Sequence, residues 1–207
     1  MNQHFENLKS KKDIILDESK KINGVQGFIT QEILRFISIA GTLTSVPDFK
    51  LDENSSIDER YITHILTRSL LENFFWILYI LDDENKINSR YESLVNSFKI
   101  EYRKLLNEEK IKSMPEYGIL LPADTSWSHL HKPLDVNSML TQIKDSENNR
   151  LNYLYFTYRL TSFDTHGKNM NAIFTSTFNK DGVFPVLKIK KVIDIISEHY
   201  LNIFTKQ

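Results

Sequence analysis

Arg159 and His166, with Ser162 between them in the stretch Arg-Leu-Thr-Ser-Phe-Asp-Thr-His, are the residues whose types and spacing best suit chemistry. At about 100° per residue, seven positions come to roughly 700°, so on a helix the two end residues share one face, about 10 Å apart along the axis. A guanidinium and an imidazole on one face are what cleavage of RNA without a metal requires. The imidazole moves a proton to or from a ribose oxygen, and the guanidinium stabilises charge developing on the phosphate. The separation is long for one phosphate within a single chain, and pairing two such helices across a dimer would bring opposing residues closer. The same letters also read as structure alone, with Arg159 a surface or salt-bridged residue and His166 a helix-end residue favoured by the dipole.

A second set, Arg60, His64, Arg68 and Glu72, is spaced four residues apart. On a helix it forms a slowly drifting stripe, and Arg68 and Glu72 flank its most apolar part. Buried charges persist only when paired and hydrogen-bonded, so an Arg68–Glu72 ion pair is expected, with one or both partners buried. That pair is either purely structural or a support that orients Arg159 or His166.

Three weaker signals follow. His129-Leu130-His131, with Asp124 and Asp135 nearby, has strand-like spacing suited to a metal, but no third ligand is anchored, so no metal and no cofactor are expected, and a metal enzyme using His129 and His131 stands as a third alternative. Trp127 reads as an anchor to the core rather than a base-stacking platform. Lys188, Lys190 and Lys191, and the cluster Lys9, Lys11 and Lys12, read as solvated faces. The chain has no glycine-rich phosphate loop, no Gly-x-Ser-x-Gly elbow and no His-Glu-x-x-His pair.

The elements that must position these residues are helices. Residues 3–22 carry Phe5, Leu8, Ile15 and Ile22 at loosely helical spacing, and Asn23-Gly24 interrupts them. A helix is predicted over about 25–43, then a loop over 45–56 containing Pro47. Ser56, with Glu59 three positions on, forms a capping-box pattern that opens a long helix to about Leu81, apolar nearly all round in its second half and hence central and buried. Another amphipathic helix is predicted over about 85–108, followed by a long ordered loop over 112–136. Helix is predicted again over about 147–166 and 188–204. Residues 172–187 alternate and are divided by Asn179-Lys180-Asp181-Gly182, which reads as a small β-hairpin or an extended loop.

Totals narrow the classes. With 207 residues, 41% of them hydrophobic and 26% charged, the chain is long enough for a real core and ordinary for a globular protein. The 26 basic and 27 acidic residues leave a net charge of −1, so any nucleic-acid contact must be a local patch. The absence of cysteine excludes disulfides, thiolate zinc sites and a cysteine nucleophile, and fits a reducing cytosol. The longest apolar run, Phe74 to Leu81, falls far short of the roughly 20 residues that span a bilayer, so no membrane association and a cytoplasmic location are expected.

Arg159-x6-His166 at a helix end, together with Arg68-Ser-Leu-Leu-Glu72 and the Tyr158, Ser162, His166 spacing, resembles the HEPN superfamily over about residues 55–205. It is most similar to an uncharacterised bacterial branch. The helical pattern reads as a single all-α domain over 1–207, with N-terminal helices over 1–45 packing on a 56–205 core that carries the resemblance. The resemblance implies a metal-independent endoribonuclease, commonly homodimeric, of toxin–antitoxin or abortive-infection systems. Arg159 and His166 would be the catalytic pair, with Arg68, Glu72, Ser162 and His64 in support, RNA as the substrate, and an antitoxin or other protein as partner. Leu160 departs from the pattern, because the residue after the Arg is often polar in active members. The alternative is a non-catalytic helical module that binds a protein or nucleotide partner.

Overall fold

The computed structural model describes residues 3–47, 49, 51, 55–56, 58–144, 148–165, 170–179 and 185–205. Among them are ten α-helices and no strand, and 80% of these described residues are helical, which makes the fold all-α. The chain divides into two compact units, Met1–Phe74 with Asp145–Gln207, and Phe75–Lys144.

Helices α1 (Gln3–Ser10), α2 (Lys12–Ser19) and α3 (Gly24–Ser45) open the first unit. Ser56 then closes the expected capping box. Its backbone N–H donates to Glu59 Oε2 at 2.9 Å, and the Glu59 N–H donates to Ser56 Oγ at 3.2 Å. These two bonds satisfy donors that a helix start leaves bare, and a short 3-10 turn over Asp58–Arg60 leads into α4 (Tyr61–Leu81). Helix α4 is one of three of similar length, with α3 at 22 residues and α5 (Ile87–Asn107) at 21. Short helices α6 (Glu109–Lys112) and α7 (Val136–Leu140) follow, and α8 (Asn148–Thr165), α9 (Met170–Phe178) and α10 (Ile189–Thr205) complete the chain.

The core of the first unit is aromatic. Tyr200 of α10 meets Phe36 of α3 and Phe74 of α4 edge-on, with ring centroids 5.1 and 5.6 Å away, and Phe5 of α1 meets Phe36 at 6.2 Å. Such edge-to-face pairs add stabilisation beyond the large area each ring buries. Burial also pushes the Tyr200 phenol far above its ordinary pKa, so it stays neutral. Helix α10 is strongly one-sided, burying Ile189, Val192, Ile193, Ile196 and Tyr200. Its Asp194 carboxylate accepts a 3.0 Å hydrogen bond from the His4 backbone N–H in the first turn of α1, where a negative charge suits the helix dipole.

In the second unit the long loop is ordered by rings. Tyr102 of α5 donates to the Leu121 carbonyl at 2.9 Å, Tyr117 donates to that of Leu106 at 3.1 Å, and Trp127 lies edge-on to Tyr102 at 6.3 Å. Trp127 is half-buried and packs on Tyr102 at the edge of α5.

Residues 172–178 correct the hairpin reading, because they belong to helix α9. Strand propensity in Ile-Phe-Thr-Ser-Thr-Phe is a weak preference, and local bonds outweigh it. Ser176 and Thr177 donate to the Ile173 carbonyl at 2.9 and 2.8 Å, and Phe174 and Phe178, four apart, bring their rings to 4.8 Å. Asn179, read as part of a hairpin turn, instead takes the left-handed conformation (φ 62°) that ends helices. The rest of that turn, residues 180–182, lies outside the described residues.

Candidate functional site

Helices α4 and α8, both in the first unit up to Phe74, bring together most of the polar residues that the sequence singles out. Their inner contact is His64 on α4 with Asp164 on α8, where the imidazole Nδ1 and the carboxylate Oδ2 share a hydrogen bond. The two side chains are 0% and 1% exposed, so this pair is shut off from solvent. Arg60, one turn before His64, is 4% exposed. Burial lowers the pKa of its guanidinium from the ordinary value, and the Asp164 carboxylate opposes that by favouring the cation. His64 and Thr67 share one face of α4, and Arg60, in the 3-10 turn that leads into it, precedes His64 by four residues. Each carries a buried atom with no hydrogen-bond partner among the described residues: Arg60 Nη1, His64 Nε2 and Thr67 Oγ1.

The outer contact is Arg68. Its guanidinium donates to Ser162 Oγ, to Tyr158 Oη at 3.1 Å and to the Tyr158 carbonyl at 3.4 Å, with its central carbon 4.2 Å from the Tyr158 ring centroid. Ser162 donates its own hydroxyl hydrogen bond to the Tyr158 carbonyl at 2.7 Å. Planar, multiply donating and stacked on a ring, this arrangement suits Arg and would not suit Lys. Burial and the neighbouring Glu72 carboxylate raise the Tyr158 pKa, against the pull of Arg68, so the phenol remains a donor-acceptor hydroxyl.

Glu72 lies 4.0 Å from Arg68, and the side chains are 47% and 20% exposed respectively. The expected pair therefore exists, but it is loose and lies at the edge of the α4–α8 contact. The buried polar contact of α4 with α8 is His64–Asp164. An exposed pair at this distance contributes under about 1 kcal/mol, so Arg68 is held by Tyr158 and Ser162 instead.

Arg159 is exposed. Tyr155, Arg159 and Ser162 lie at i, i+4 and i+7 of α8, so the stripe of Arg159 borders the Arg68 contacts at Ser162. His166 lies outside the described residues, and helix α8 is described as far as Thr165. No family model, curated protein or solved structure matches the chain. The chemistry of this region must be read from its own atoms.

Those atoms offer two things. Inside, Arg60, His64 and Asp164 form a closed polar lock between two helices. Outside, Arg68 is a preoriented guanidinium on a part-exposed edge, and Arg159 is exposed on the α8 stripe that borders it. No group of three His, Asp or Glu residues that could hold a metal occurs among the described residues, and His129 and His131 line a cleft in the other unit.

The sequence reading missed Asp164 and Tyr158 as contacts. A signal for Asp164 was present, since it is the sole acidic residue of α8 and His64 sits in an apolar helix that needed a polar partner. Tyr158 had none, because stacking under a guanidinium leaves no trace in spacing.

Arg68→Ala is expected to lower the unfolding free energy by about 1–3 kcal/mol in a urea titration, from the loss of charged hydrogen bonds at a half-buried position. Arg68→Lys should recover only a minor part of it. An unchanged midpoint for the alanine variant would show that the guanidinium does not tie α4 to α8.

Proposed function

We propose that the chain is a metal-independent endoribonuclease of the HEPN type, acting in a defence or growth-arrest system as a homodimer. The observation that carries this reading is the Arg68 guanidinium, held on Tyr158 and Ser162 at the edge of α8 whose exposed stripe carries Arg159. Two cations at such an edge suit the phosphate of an RNA backbone, in a chain with no overall basic excess. In the reaction the ribose 2′ oxygen attacks phosphorus, the 5′ oxygen of the next nucleotide leaves, and a 2′,3′-cyclic phosphate remains. His166 takes the 2′ proton or delivers one to the departing oxygen, and Arg159 stabilises the charge on the phosphate oxygens. Arg68 and Glu72 support the arrangement, Ser162 holds Arg68, and His64 fixes the two helices.

Phe156 and Phe163, 50% and 49% exposed and seven residues apart on α8, support a second copy or a protein antitoxin against this helix. The same rings favour the competing reading, a non-catalytic helical module that binds a protein or nucleotide partner, which predicts no cleavage at all. No helix among the described residues is long and apolar enough to cross a membrane.

The experiment is cleavage of single-stranded RNA in excess chelator. Wild type should cut, and Arg159→Ala should cut about 100–1,000-fold more slowly with unchanged folding, the usual cost of removing one donor to a developing oxyanion. Equal rates in the two proteins would remove Arg159 from the chemistry, and no cutting by folded wild type would favour the binding module.

A further inference from the structure

The second unit contains a cleft of about 340 Å³ between α4, α5 and the loop that follows Trp127. That volume lies within the roughly 300–1,000 Å³ typical of small-molecule sites. Its apolar wall is Trp76 and Tyr79, whose rings meet edge-on at 6.1 Å. Tyr79 is fixed from behind. The Arg90 guanidinium stacks 4.2 Å from its ring, Arg90 Nη1 donates to its carbonyl, and its hydroxyl donates to Gln142 Oε1 at 3.4 Å. Trp76 is only half-buried, which leaves ring surface facing the cleft.

The polar lining is one-sided in sign. His129, His131 and Lys132 form the exposed lip, and Asn96 lies on α5. The Asn96 side-chain oxygen accepts from Lys99 Nζ at 3.3 Å, and its amide nitrogen adds a pair of N–H donors to the lining. No Asp or Glu lines the cleft. The acids nearest the His129–Lys132 lip in the sequence are occupied as helix caps, Asp124 accepting from the Ser126 N–H and Asp135 from the Ser138 N–H, each at 2.8 Å. His129 and His131 thus stand with donors and aromatic surface around them and with no carboxylate to complete a metal site. A neutral apolar ligand would leave those donors without a partner, and a simple inorganic anion would leave the Trp76 surface unused.

We propose that this cleft binds a small planar aromatic anion, a ring carrying one phosphate or carboxylate, with the ring against Trp76 and the anionic group at Lys132 and His131. The proposal uses none of the residues of the ribonuclease reading. Calorimetric titration of the full chain tests it with four probes: adenosine 5′-monophosphate, 2-naphthoate, adenosine and inorganic phosphate. At least one planar anion should bind saturably at one site per chain, at least about tenfold more tightly than adenosine or phosphate alone, and Lys132→Ala, a change at the exposed lip, should weaken it about tenfold, as expected for loss of one charged hydrogen bond. Binding by the phosphate probe alone, or by the carboxylate probe alone, would identify the member of the class. Absence of binding by both planar anions up to about 5 mM, equal affinity for inorganic phosphate alone, or wild-type affinity in Lys132→Ala would each overturn the proposal.

Discussion

Asp164→Ala is expected to lower the unfolding free energy by about 3–5 kcal/mol, the usual cost of removing one partner from a buried charged contact. For a chain of this length that corresponds to a melting temperature roughly 10 °C lower. The size follows from what remains. His64 would keep both ring nitrogens buried without a partner, and the Arg60 guanidinium, 4% exposed, would lose the carboxylate that favours its charge. His64→Ala should cost less, because it leaves Arg60 and Asp164 facing one another. The double variant should be more stable than the sum of the two losses predicts, since each single change already breaks the shared contact. A loss below about 1 kcal/mol for Asp164→Ala would show that the contact does not hold α4 and α8 together.

The second large effect concerns His166 and separates chemistry from folding. His166→Ala should lower RNA cleavage about 100–10,000-fold, the range that a positioned proton-transfer group contributes. Its unfolding midpoint in urea should match that of wild type, in contrast to Asp164→Ala two residues earlier. A stability loss in His166→Ala as large as its activity loss would make this residue part of the scaffold. The activity would then have to be sought at Arg68 and Arg159.

Helices with a periodic apolar face were legible from the sequence. The capping box at Ser56 and Glu59 is a local signal closed by two backbone bonds, and the one-sided pattern of α10 shows in its spacing of Ile189, Val192, Ile193 and Ile196. Residues 172–178 were misread because alternation of Ile, Thr and Phe resembles a strand, while the Phe174–Phe178 ring contact that favours a helix appears only once the turn has formed. The polar residues of α4 were found through their four-residue spacing, and their partners were not. Helical spacing tells which residues share a face of one helix, and says nothing of which residue on another helix stands opposite. Arg68 therefore reads as the partner of its neighbour Glu72, when its bonds run 90 residues onward to Tyr158 and 94 to Ser162.

The most direct measurement is the identity of the ends that the wild-type protein and His166→Ala leave on a single-stranded RNA in the presence of chelator. Wild-type cleavage yielding 2′,3′-cyclic phosphate and 5′-hydroxyl ends, absent from an equally folded His166→Ala protein, is the expected result. Ends bearing a 5′ phosphate, cleavage that stops on metal removal, or identical products from both proteins would contradict it.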